Sequence, residues 1–530
     1  MAEFDIRDLL LAPRLERPQV ADLLVPYGLK DFRKADASLQ AMAGEPSDRL
    51  LLADILEDLL VCVRGSANPD QALTYFERFV QSAANKAHLY SYLKNSKQAI
   101  ETIAKCLGGS VYMAEILIRD PHHFYWVTDS QVLSRSRRKR DIQRELIRTL
   151  KVLEQPDKQL DHLRAVKRRE MLHIGVRDLL RLASVEETLS ALSVLAEALI
   201  STAYWICASA LRRTYKISPK AFTDFTILAM GKLGGGELNF SSDVDLMYVY
   251  SSAPSSPSGP SGDIQVPAIS AEDYFRRLSQ KITSGLNDFT GEGYVYRVDL
   301  RLRPEGDAGN MADSLDGFAR YYRSRMGTWE RLALLKAWPV AGSRSLGRRF
   351  LEMAQPFIHQ PLFDQQALAD VRDMKAKVDR MVAGRGQSGR NVKLGAGGIR
   401  EIELIVQSIQ VAHGAIFPGI LGRNTLGALS ALRARALISD EEFESLHGAY
   451  LFLRDVENKL QMVADAQTHS LPRELEELNA CARLLGYSET ASESAADQFL
   501  FDFRNHTGRV SSIFENIIVS ADLRRFPGLR

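Results

Sequence analysis

Apolar residues return at helical spacing through most of the first 219 positions of the chain. The clearest runs cover residues 47–63, 88–106 and 185–211, where charged side chains separate the apolar ones. Patterns typical of strands are scarce in this part of the sequence. The pattern predicts a helical N-terminal domain over residues 1–219.

The pattern changes at about residue 220, where short apolar runs replace the helical spacing. Residues 225–230 and 245–250 are typical of buried strands. Residues 251–269 are dense in serine, proline and glycine, which predicts a flexible loop that packs no core. Residues 220–345 are therefore predicted to form a separate α/β domain.

A helix is predicted to follow this loop from Ser270. Ser270 and Asp273 have the spacing of a capping box, in which the first side chain accepts a hydrogen bond from a backbone N–H of the first turn. Gly291 is a natural stop for the helix. The predicted apolar face consists of Phe275, Leu278, Ile282, Leu286 and Phe289.

Residues 294–303 are the clearest strand pattern in the chain. Apolar and polar residues alternate strictly, and Pro304 would end the strand. Side chains two positions apart project to the same face of a strand. One face of this strand is therefore expected to carry Arg297, Asp299, Arg301 and Arg303.

Helical spacing returns from about residue 346 to the end. The longest runs are residues 399–413, 440–465 and 495–519. A C-terminal helical bundle is predicted over residues 346–530. The fold class is therefore mainly α, with a small mixed sheet in a central α/β domain between two helical regions.

The charge balance gives no support to a general nucleic-acid binder. Lys and Arg number 68 against 66 for Asp and Glu, so the formal net charge is only +2, whereas such binders carry a clear basic excess. The longest uncharged span, residues 198–211, is shorter than the roughly 20 residues that a bilayer requires. It is interpreted as a buried bundle helix, so no membrane partner is expected.

The four cysteines are widely scattered and form no CxxC pair, which is typical of reduced thiols rather than of a disulfide framework or a zinc site. The N-terminal residues show no cationic segment followed by a long apolar run, so no signal peptide is predicted. Both observations favour a cytoplasmic location. The cysteines are Cys62, Cys106, Cys207 and Cys481.

Two aspartates after a glycine-rich turn are the strongest chemical feature. Asp243 and Asp245 lie two apart, so on a strand both carboxylates project to one face. Such a pair suits Mg²⁺, which takes one or two protein carboxylates together with substrate phosphate oxygens. Asp299, on the charged face of a neighbouring strand, is the candidate third carboxylate. A lone pair of this kind is more often a solvated turn, so the prediction depends on its context.

The glycine-rich segment before these aspartates supplies that context. Glycines at 231, 234, 235 and 236 allow the backbone to approach a phosphate closely. A lysine and two serines add a cation and hydroxyl donors, and arginine suits bidentate phosphate contacts. The candidate phosphate and nucleotide ligands are Gly231, Lys232, Gly234, Ser241, Ser242, Arg301 and Arg303.

Several long motifs resemble one family, the bifunctional glutamine synthetase adenylyltransferases and adenylyl-removing enzymes. These belong to the nucleotidyltransferase superfamily that includes DNA polymerase beta. The motifs are KRREMLHIGVRDL (167–179), LAMGKLGGGELNFSSDVDL (228–246), YRVDLRLRPEGDAG (296–309), WERLALLKAWPVAG (329–342) and VKLGAGGIREIELIVQ (392–407).

The resemblance implies that residues 220–345 are a nucleotidyltransferase catalytic domain. It places the family's catalytic and metal-binding carboxylates on Asp243, Asp245 and Asp299. In this family the C-terminal half adenylylates a tyrosine of glutamine synthetase with ATP, and the N-terminal half removes AMP by phosphorolysis, releasing ADP. This chain has one motif set after a long helical segment, and its residues from Asn239 to Asp243 are more similar to the N-terminal half. It is therefore expected to be the deadenylylating half, as a fragment or a split protein.

The implied reaction needs Mg²⁺, held by the three aspartates, while Arg301 and Arg303 orient phosphate oxygens. The implied partners are adenylylated glutamine synthetase, the uridylylated form of the PII signalling protein, and phosphate with ADP, or ATP. Two alternatives remain open. The chain could be the half that adenylylates glutamine synthetase with ATP, or a regulatory module that binds PII without catalysis.

Two further motifs carry weaker expectations. The glycine-rich residues 393–398 form either a linker cap or a lid over the site, followed by Glu401 and Glu403 on different helix faces. Trp329 is expected in the core. Arg331 and Lys336 are candidate substrate or effector contacts.

Overall fold

The structure is a computed structural model, and its description covers most of the chain. Residues 252–268, which make up nearly all of the predicted serine- and proline-rich loop, lie outside the described part. The described residues are 4–12, 15–218, 221–251, 269–358, 365–520 and 525–526.

Contacts along the backbone divide the chain into two compact units. The first consists of Met1–Ser136, Arg168–Thr188 and Asp455–Phe503, and the second of Arg137–Lys167, Leu189–Arg454 and Arg504–Arg530. Both units draw on segments that are distant in sequence. These units are not continuous stretches of sequence, so they do not test the predicted domain boundaries at residues 219 and 345, which stay a prediction.

Helices occupy nearly all of the described chain before residue 216, as the hydrophobic spacing predicts. They are α1 (Asp8–Leu11), α2 (Arg17–Leu24), a 3-10 turn (Val25–Tyr27), α3 (Phe32–Ala43), α4 (Pro46–Arg64), α5 (Pro69–Ser82), α6 (Lys86–Lys94), α7 (Lys97–Gly109), α8 (Val111–Arg119), α9 (His122–Val127), α10 (Ser130–Leu133), α11 (Lys139–Leu150), α12 (Pro156–Leu179) and α13 (Val185–Tyr215).

One predicted helical run is in fact two helices. Residues 88–106 are divided between α6 and α7 because Ser96 takes an extended conformation and its hydroxyl accepts the backbone N–H of Ala99 at 3.2 Å. This is a side-chain N-cap, which starts a new helix. Hydrophobic spacing alone does not detect such a break.

Helix α13 contains the span considered above as too short for a membrane. It is long and apolar enough to cross a bilayer by length and composition, but 67% of its most apolar window is buried inside the protein. Residues Ile206 and Cys207 are among the buried positions. The interpretation of residues 198–211 as a packed helix agrees with this burial.

The central sheet is small and mixed, as predicted. Its strands are β1 (Phe225–Ala229), β2 (Val244–Tyr250), β3 (Val298–Asp299), β4 (Ala312–Ser314) and β5 (Trp338–Gly342). Their order is β3-β2-β1-β5, and β4 also pairs with β2. Strand β1 runs antiparallel to β2 and β5, whereas β3 and β4 run parallel to β2.

The helices of this region pack around the sheet. The predicted helix after Ser270 is present, and the Ser270 hydroxyl accepts the N–H of Asp273 at 3.1 Å. Its apolar face is buried as far as Leu286, but the helix ends at Asn287, and Phe289 beyond it is 80% exposed. The helices are α14 (Gly231–Gly235), α15 (Ala271–Asn287), α16 (Leu315–Arg325) and α17 (Thr328–Leu334), with a 3-10 turn at Gly306–Ala308.

The long strand predicted at residues 294–303 is wrong, because only Val298–Asp299 is a strand. Upstream, the backbone N–H groups of Val295 and Tyr296 both donate to the carbonyl of Leu286 at the end of α15. Downstream, the Asp299 carboxylate accepts the N–H of Arg301 at 2.8 Å, which turns the chain. Local hydrogen bonds thus replace the strand ladder on both sides.

Helices fill the described chain after the sheet. They are α18 (Arg344–Ile358), α19 (Gln365–Gly384), α20 (Ile399–His413), a 3-10 turn (Pro418–Ile420), α21 (Thr425–Ala434), α22 (Asp440–Ala464), α23 (Leu475–Leu484) and α24 (Ala495–Phe514), which continues as a π-helical turn (Glu515–Val519).

Candidate active site

The predicted carboxylates meet at one end of the sheet, within the second unit. Asp243 immediately precedes β2, and Asp245 is the second residue of that strand. Asp245 and Asp299 are direct partners in the parallel β2–β3 pair. Partners in neighbouring strands project to the same face about 4.8 Å apart. The structure therefore places Asp245 and Asp299 side by side.

Asp245 is half-buried and lies against Gly231. Burial, together with the negative charges of Asp299 and Asp243, raises the pKa of Asp245 to about 6, while Lys393 and Lys232 act in the opposite direction. A carboxylate under these conditions gains from a nearby cation. The site thus has a negative potential at the start of β2.

Asp243 is held by an arginine that is absent from the predicted ligand set. Arg297 Nε donates to Asp243 Oδ1 at 2.6 Å, and the same guanidinium donates to the Ser241 carbonyl at 3.0 Å and to the Tyr294 hydroxyl at 2.8 Å. The three contacts fix the arginine and with it the Asp243 carboxylate. The sequence indicated this role only by predicting Arg297 on the same strand face as Asp299.

Asp299 is paired with Arg301. Arg301 Nε donates to both carboxylate oxygens, at 3.1 Å to Oδ1 and 3.0 Å to Oδ2, and a terminal nitrogen donates to Oδ2 at 2.5 Å. Although burial opposes ionisation, these bonds and the Arg301 backbone N–H lower the pKa of Asp299. Arg301 is 69% exposed at its side chain, so its guanidinium is open to solvent on the side away from Asp299.

Arg303 was predicted to share a strand face with Asp299, but it lies beyond the end of the strand. Its guanidinium donates to the backbone carbonyls of Leu300 at 2.9 Å and Gly309 at 3.2 Å. The turn after Asp299 rotates it away from strand geometry, and its contacts hold the following loop together.

Ser241 and Ser242 are both buried. The Ser241 hydroxyl accepts a hydrogen bond from Arg297 at 3.2 Å, and the Ser242 hydroxyl accepts the N–H of Asn239 at 3.3 Å. Their hydroxyls therefore organise the turn that leads into β2.

The glycine-rich segment is a single helical turn, α14, rather than an open loop. Gly231 starts it with φ of +52°, and the N–H of Met230 donates to the Asp245 carbonyl at 2.8 Å. A Cβ at position 231 would overlap Asp245 Oδ2, and a Cβ at position 234 would overlap the Lys336 carbonyl. Glycine is needed at both positions for close packing, and at 231 also for its backbone conformation.

Replacing Gly231 by alanine is expected to reduce activity at least about a hundredfold. A displacement of about 1 Å from the productive geometry has an effect of that size. The added methyl would displace the Asp245 carboxylate, and the left-handed backbone would add about 1–3 kcal/mol of strain. Initial rates and urea unfolding measure the two effects. Gly384→Ala is the matched control, because a Cβ there meets nothing within 4 Å. Equal rates for Gly231→Ala and the control would contradict this role.

An open depression of about 450 Å³ lies over these groups. Asp245 is not among the residues that line it. The space is large enough for a phosphate group or part of a nucleotide. Its polar lining consists of Asp243, Arg297, Asp299, Arg301, Arg303 and Asp307.

A buried ion cluster behind the glycine-rich turn corrects another expectation. Lys336, predicted as a candidate substrate contact, is 5% exposed, and its ammonium donates to Glu237 at 3.0 Å and to Glu403 at 2.8 Å. It is therefore a structural residue. Trp329, expected in the core, is 38% exposed, because it lies at the first turn of the short helix α17.

The carboxylates fit a divalent cation by their chemistry. Hard oxygen donors on one face are what Mg²⁺ prefers. Burial and the negative charges of Asp299 and Asp243 raise the pKa of Asp245, and a cation would offset both effects. Among the described residues no three acidic, histidine or cysteine side chains already converge as a metal site. Instead, Asp243 is paired with Arg297 and Asp299 is paired with Arg301.

This arrangement defines a nucleotidyltransferase: a mixed sheet, a glycine-rich helical turn between its first two strands, and carboxylates on the second strand and its parallel neighbour. Residues 100–353 match the glutamate-ammonia ligase adenylyltransferase family, and residues 372–518 match the family described as GlnD PII-uridylyltransferase. The segment that carries the candidate catalytic carboxylates thus lies within the match to the glutamate-ammonia ligase adenylyltransferase family.

Similar curated proteins are named bifunctional glutamine synthetase adenylyltransferase/adenylyl-removing enzyme. The one from Xanthomonas oryzae pv. oryzae is 41% identical over 337 residues, covering 62% of this chain and 34% of the relative. The one from Thioalkalivibrio sulfidiphilus is 34% identical over 423 residues, covering 79% and 42%. The one from Rhizobium meliloti is 38% identical over 351 residues, covering 64% and 35%. The chain therefore spans between a third and a half of these relatives.

Proposed function

We propose that this chain removes AMP from an adenylylated tyrosine of glutamine synthetase, with Mg²⁺ bound and phosphate as the attacking group. The relatives carry both adenylyl-transferring and adenylyl-removing activities in their names. The observation that carries the proposal is the side-by-side placement of Asp245 and Asp299 behind the glycine-rich turn.

Two features of the sequence favour removal over addition of AMP. The chain contains one motif set, preceded by a long helical region. Its residues from Asn239 to Asp243 are more similar to the N-terminal, deadenylylating half of the family. Assay of the reaction tests this choice directly.

The reaction is an in-line displacement at phosphorus. A phosphate oxygen forms a bond to the α-phosphorus, and the bond from that phosphorus to the tyrosine oxygen breaks. The products are ADP and the unmodified tyrosine side chain of glutamine synthetase, whose oxygen takes the proton that the attacking hydrogen phosphate gives up. Asp243, Asp245 and Asp299 would hold Mg²⁺, which supplies positive charge for the developing negative charge. Arg301, exposed beside Asp299, would bind and orient the attacking phosphate.

The direct test uses glutamine synthetase that carries labelled AMP on its tyrosine. The chain, Mg²⁺ and inorganic phosphate are expected to convert the label to ADP, and omission of phosphate or addition of a chelator is expected to stop the reaction. Asp243→Ala and Asp245→Ala are expected to abolish it. Asp316→Ala, an exposed carboxylate in α16, is the control and should retain full turnover.

The second candidate is the reverse modification, which the names of the relatives also include. Unmodified glutamine synthetase and ATP labelled in the α-phosphate distinguish the two. Transfer of label onto glutamine synthetase, without phosphate-dependent ADP formation, would replace the proposed reaction by ATP-dependent adenylylation. Absence of both reactions would favour a module that binds PII without catalysis.

The proposed setting is the cytoplasm, with PII as a regulator. The second family match, over residues 372–518, is to a family described by its action on PII, which supports PII recognition by these helices. A pull-down with uridylylated and unmodified PII tests this, and the uridylylated form is expected to bind more tightly.

A further inference from the structure

The loop before α20 carries Lys393, whose backbone is held on both sides by hydrogen bonds. The Asn391 side-chain oxygen accepts the backbone N–H groups of Lys393 at 3.1 Å and Leu394 at 2.8 Å. The N–H of Arg400 donates to the Lys393 carbonyl at 2.9 Å. Lys393 is thus attached to the first turn of α20 and to the residues before it.

This loop is tightly fixed rather than a lid. Gly397 has φ of +70°, and a Cβ there would overlap the carbonyl of Thr507. Its N–H donates to the buried carboxylate of Glu401 at 2.9 Å, and Glu401 is paired with Lys375 at 2.9 Å. Charge pairing and close backbone packing therefore hold the position of Lys393.

The same helix turn is joined to the glycine-rich turn of the active site. Glu403, one turn beyond Arg400, accepts a hydrogen bond from Lys336 at 2.8 Å. The carbonyl of Lys336 packs directly against Gly234, in the turn that begins at Gly231. Because Gly231 lies against the Asp245 carboxylate, this chain of contacts places α20 and its preceding loop on the Asp245 side of the site.

The charge on Lys393 acts on the catalytic carboxylate without forming an ion pair. It contributes to lowering the pKa values of Asp245 and Glu403. Glu403 is nevertheless bonded to Lys336, and no carboxylate among the described residues lies within 4 Å of the Lys393 ammonium. A half-buried cation fixed beside a phosphoryl-transfer site, and bound to no protein anion, suits a substrate anion.

We propose that Lys393 binds the non-bridging oxygens of the phosphoryl group at the reaction centre. This rests on the proposed function and extends it, because it adds a residue outside the adenylyltransferase match of residues 100–353 to the catalytic site. The oxygens belong either to the attacking phosphate or to the adenylyl group. In both cases the ammonium reduces repulsion between two anions that must approach each other.

The first test is steady-state kinetics of Lys393→Met at saturating Mg²⁺. A hydrogen bond to a charged group contributes about 1.5–3 kcal/mol, so kcat/KM is expected to fall by about 10- to 150-fold. A rise in KM for phosphate assigns the contact to the attacking group, whereas a rise in KM for adenylylated glutamine synthetase, or a fall in kcat alone, assigns it to the adenylyl group. Lys393→Arg is expected to retain most of the activity.

Lys377→Met, an exposed lysine of α19, is the matched control and should behave as the wild type. A purely structural role predicts a different result. In that case Lys393→Met lowers the urea unfolding midpoint and the amount of active enzyme, but leaves both KM values unchanged and is not rescued by arginine. That outcome would overturn the proposal.

Calorimetric binding of ADP with Mg²⁺ separates this inference from the proposed reaction. If the wild type removes no AMP but binds ADP, and Lys393→Met binds it at least about tenfold more weakly, the reaction is wrong and the Lys393 contact stands. If the wild type and Lys393→Met bind ADP with equal affinity, and also bind inorganic phosphate with equal affinity, the Lys393 contact is excluded, whichever reaction the protein catalyses. Failure of the wild type to bind either compound would overturn both.

Discussion

Asparagine in place of Asp245 is expected to reduce adenylyl transfer about a thousandfold or more while the chain remains folded. The change keeps the size of the side chain but removes one oxygen ligand and one negative charge. Loss of a metal-binding carboxylate removes several kcal/mol of transition-state stabilisation, and about 4 kcal/mol corresponds to a thousandfold in rate. Initial rates of phosphate-dependent ADP release at saturating Mg²⁺ measure this loss.

The same substitution is expected to stabilise the metal-free protein at neutral pH. Burial and the charge of Asp299 raise the pKa of Asp245 from its ordinary value of 3.8 to about 6. Between these values the folded state binds more protons than the unfolded state, so stability falls as the pH rises through this window. The ionised carboxylate then costs about 3 kcal/mol above pH 6, which asparagine avoids.

Urea unfolding in the presence of a chelator at pH 4 and pH 8 tests this sign. The variant is expected to be more stable than the wild type at pH 8 and similar to it at pH 4, and added Mg²⁺ should stabilise only the wild type. Asp316→Asn is the control for loss of an exposed carboxylate. Wild-type turnover by Asp245→Asn, or equal stabilisation of both proteins by Mg²⁺, would remove Asp245 from the metal site.

The sequence predicts the elements whose evidence is local. Strands β1 and β2 follow from their apolar runs, α15 from the Ser270 cap and its apolar face, and the Asp243–Asp245 pair from its spacing. Helical periodicity predicts α20 at its observed bounds. In each case the nearest neighbours in sequence determine the structure, so no knowledge of distant contacts is needed.

The misplaced elements are those whose structure depends on distant or unusual partners. The alternation at residues 294–303 predicts a long strand, but the Leu286 carbonyl and the Asp299 side chain take the backbone hydrogen bonds. Arg297 could not be assigned to Asp243 from sequence, because they are 54 positions apart and side-chain orientation decides the pair. Composition likewise gives no indication that Lys336 is buried.

Lys336→Met is expected to have the largest effect on stability, about 3–5 kcal/mol, because it leaves two buried carboxylates without their cation. Glu237 and Glu403 are each less than one tenth exposed, and both bond to the Lys336 ammonium. Burial alone would lower the pKa of Lys336, but the two carboxylates raise it. The urea unfolding midpoint at pH 7 measures the loss, and Lys377→Met is the control.

The pH dependence of this loss distinguishes charge from packing. Although burial opposes ionisation, Lys336 and Arg400 lower the pKa of Glu403 to about 2. The stabilisation from Glu403 is therefore present above its ordinary pKa of 4.5 and is lost as the pH falls from 4.5 towards 2. The difference between wild type and Lys336→Met should shrink over that range, whereas a lost packing contact would cost the same at every pH.

Removing the buried charges together should restore much of the lost stability. The variant with Lys336→Met, Glu237→Gln and Glu403→Gln contains no buried ion in this cluster, and such replacements are often neutral. The Glu237 carboxylate also accepts the backbone N–H of Thr425, a bond that glutamine can still accept. Recovery of stability with reduced activity would show that the cluster contributes to catalysis by holding Gly234 and the turn against Asp245. Failure to recover would mean that Lys336 stabilises this unit chiefly by packing, which its charge pairing with Glu237 and Glu403 argues against.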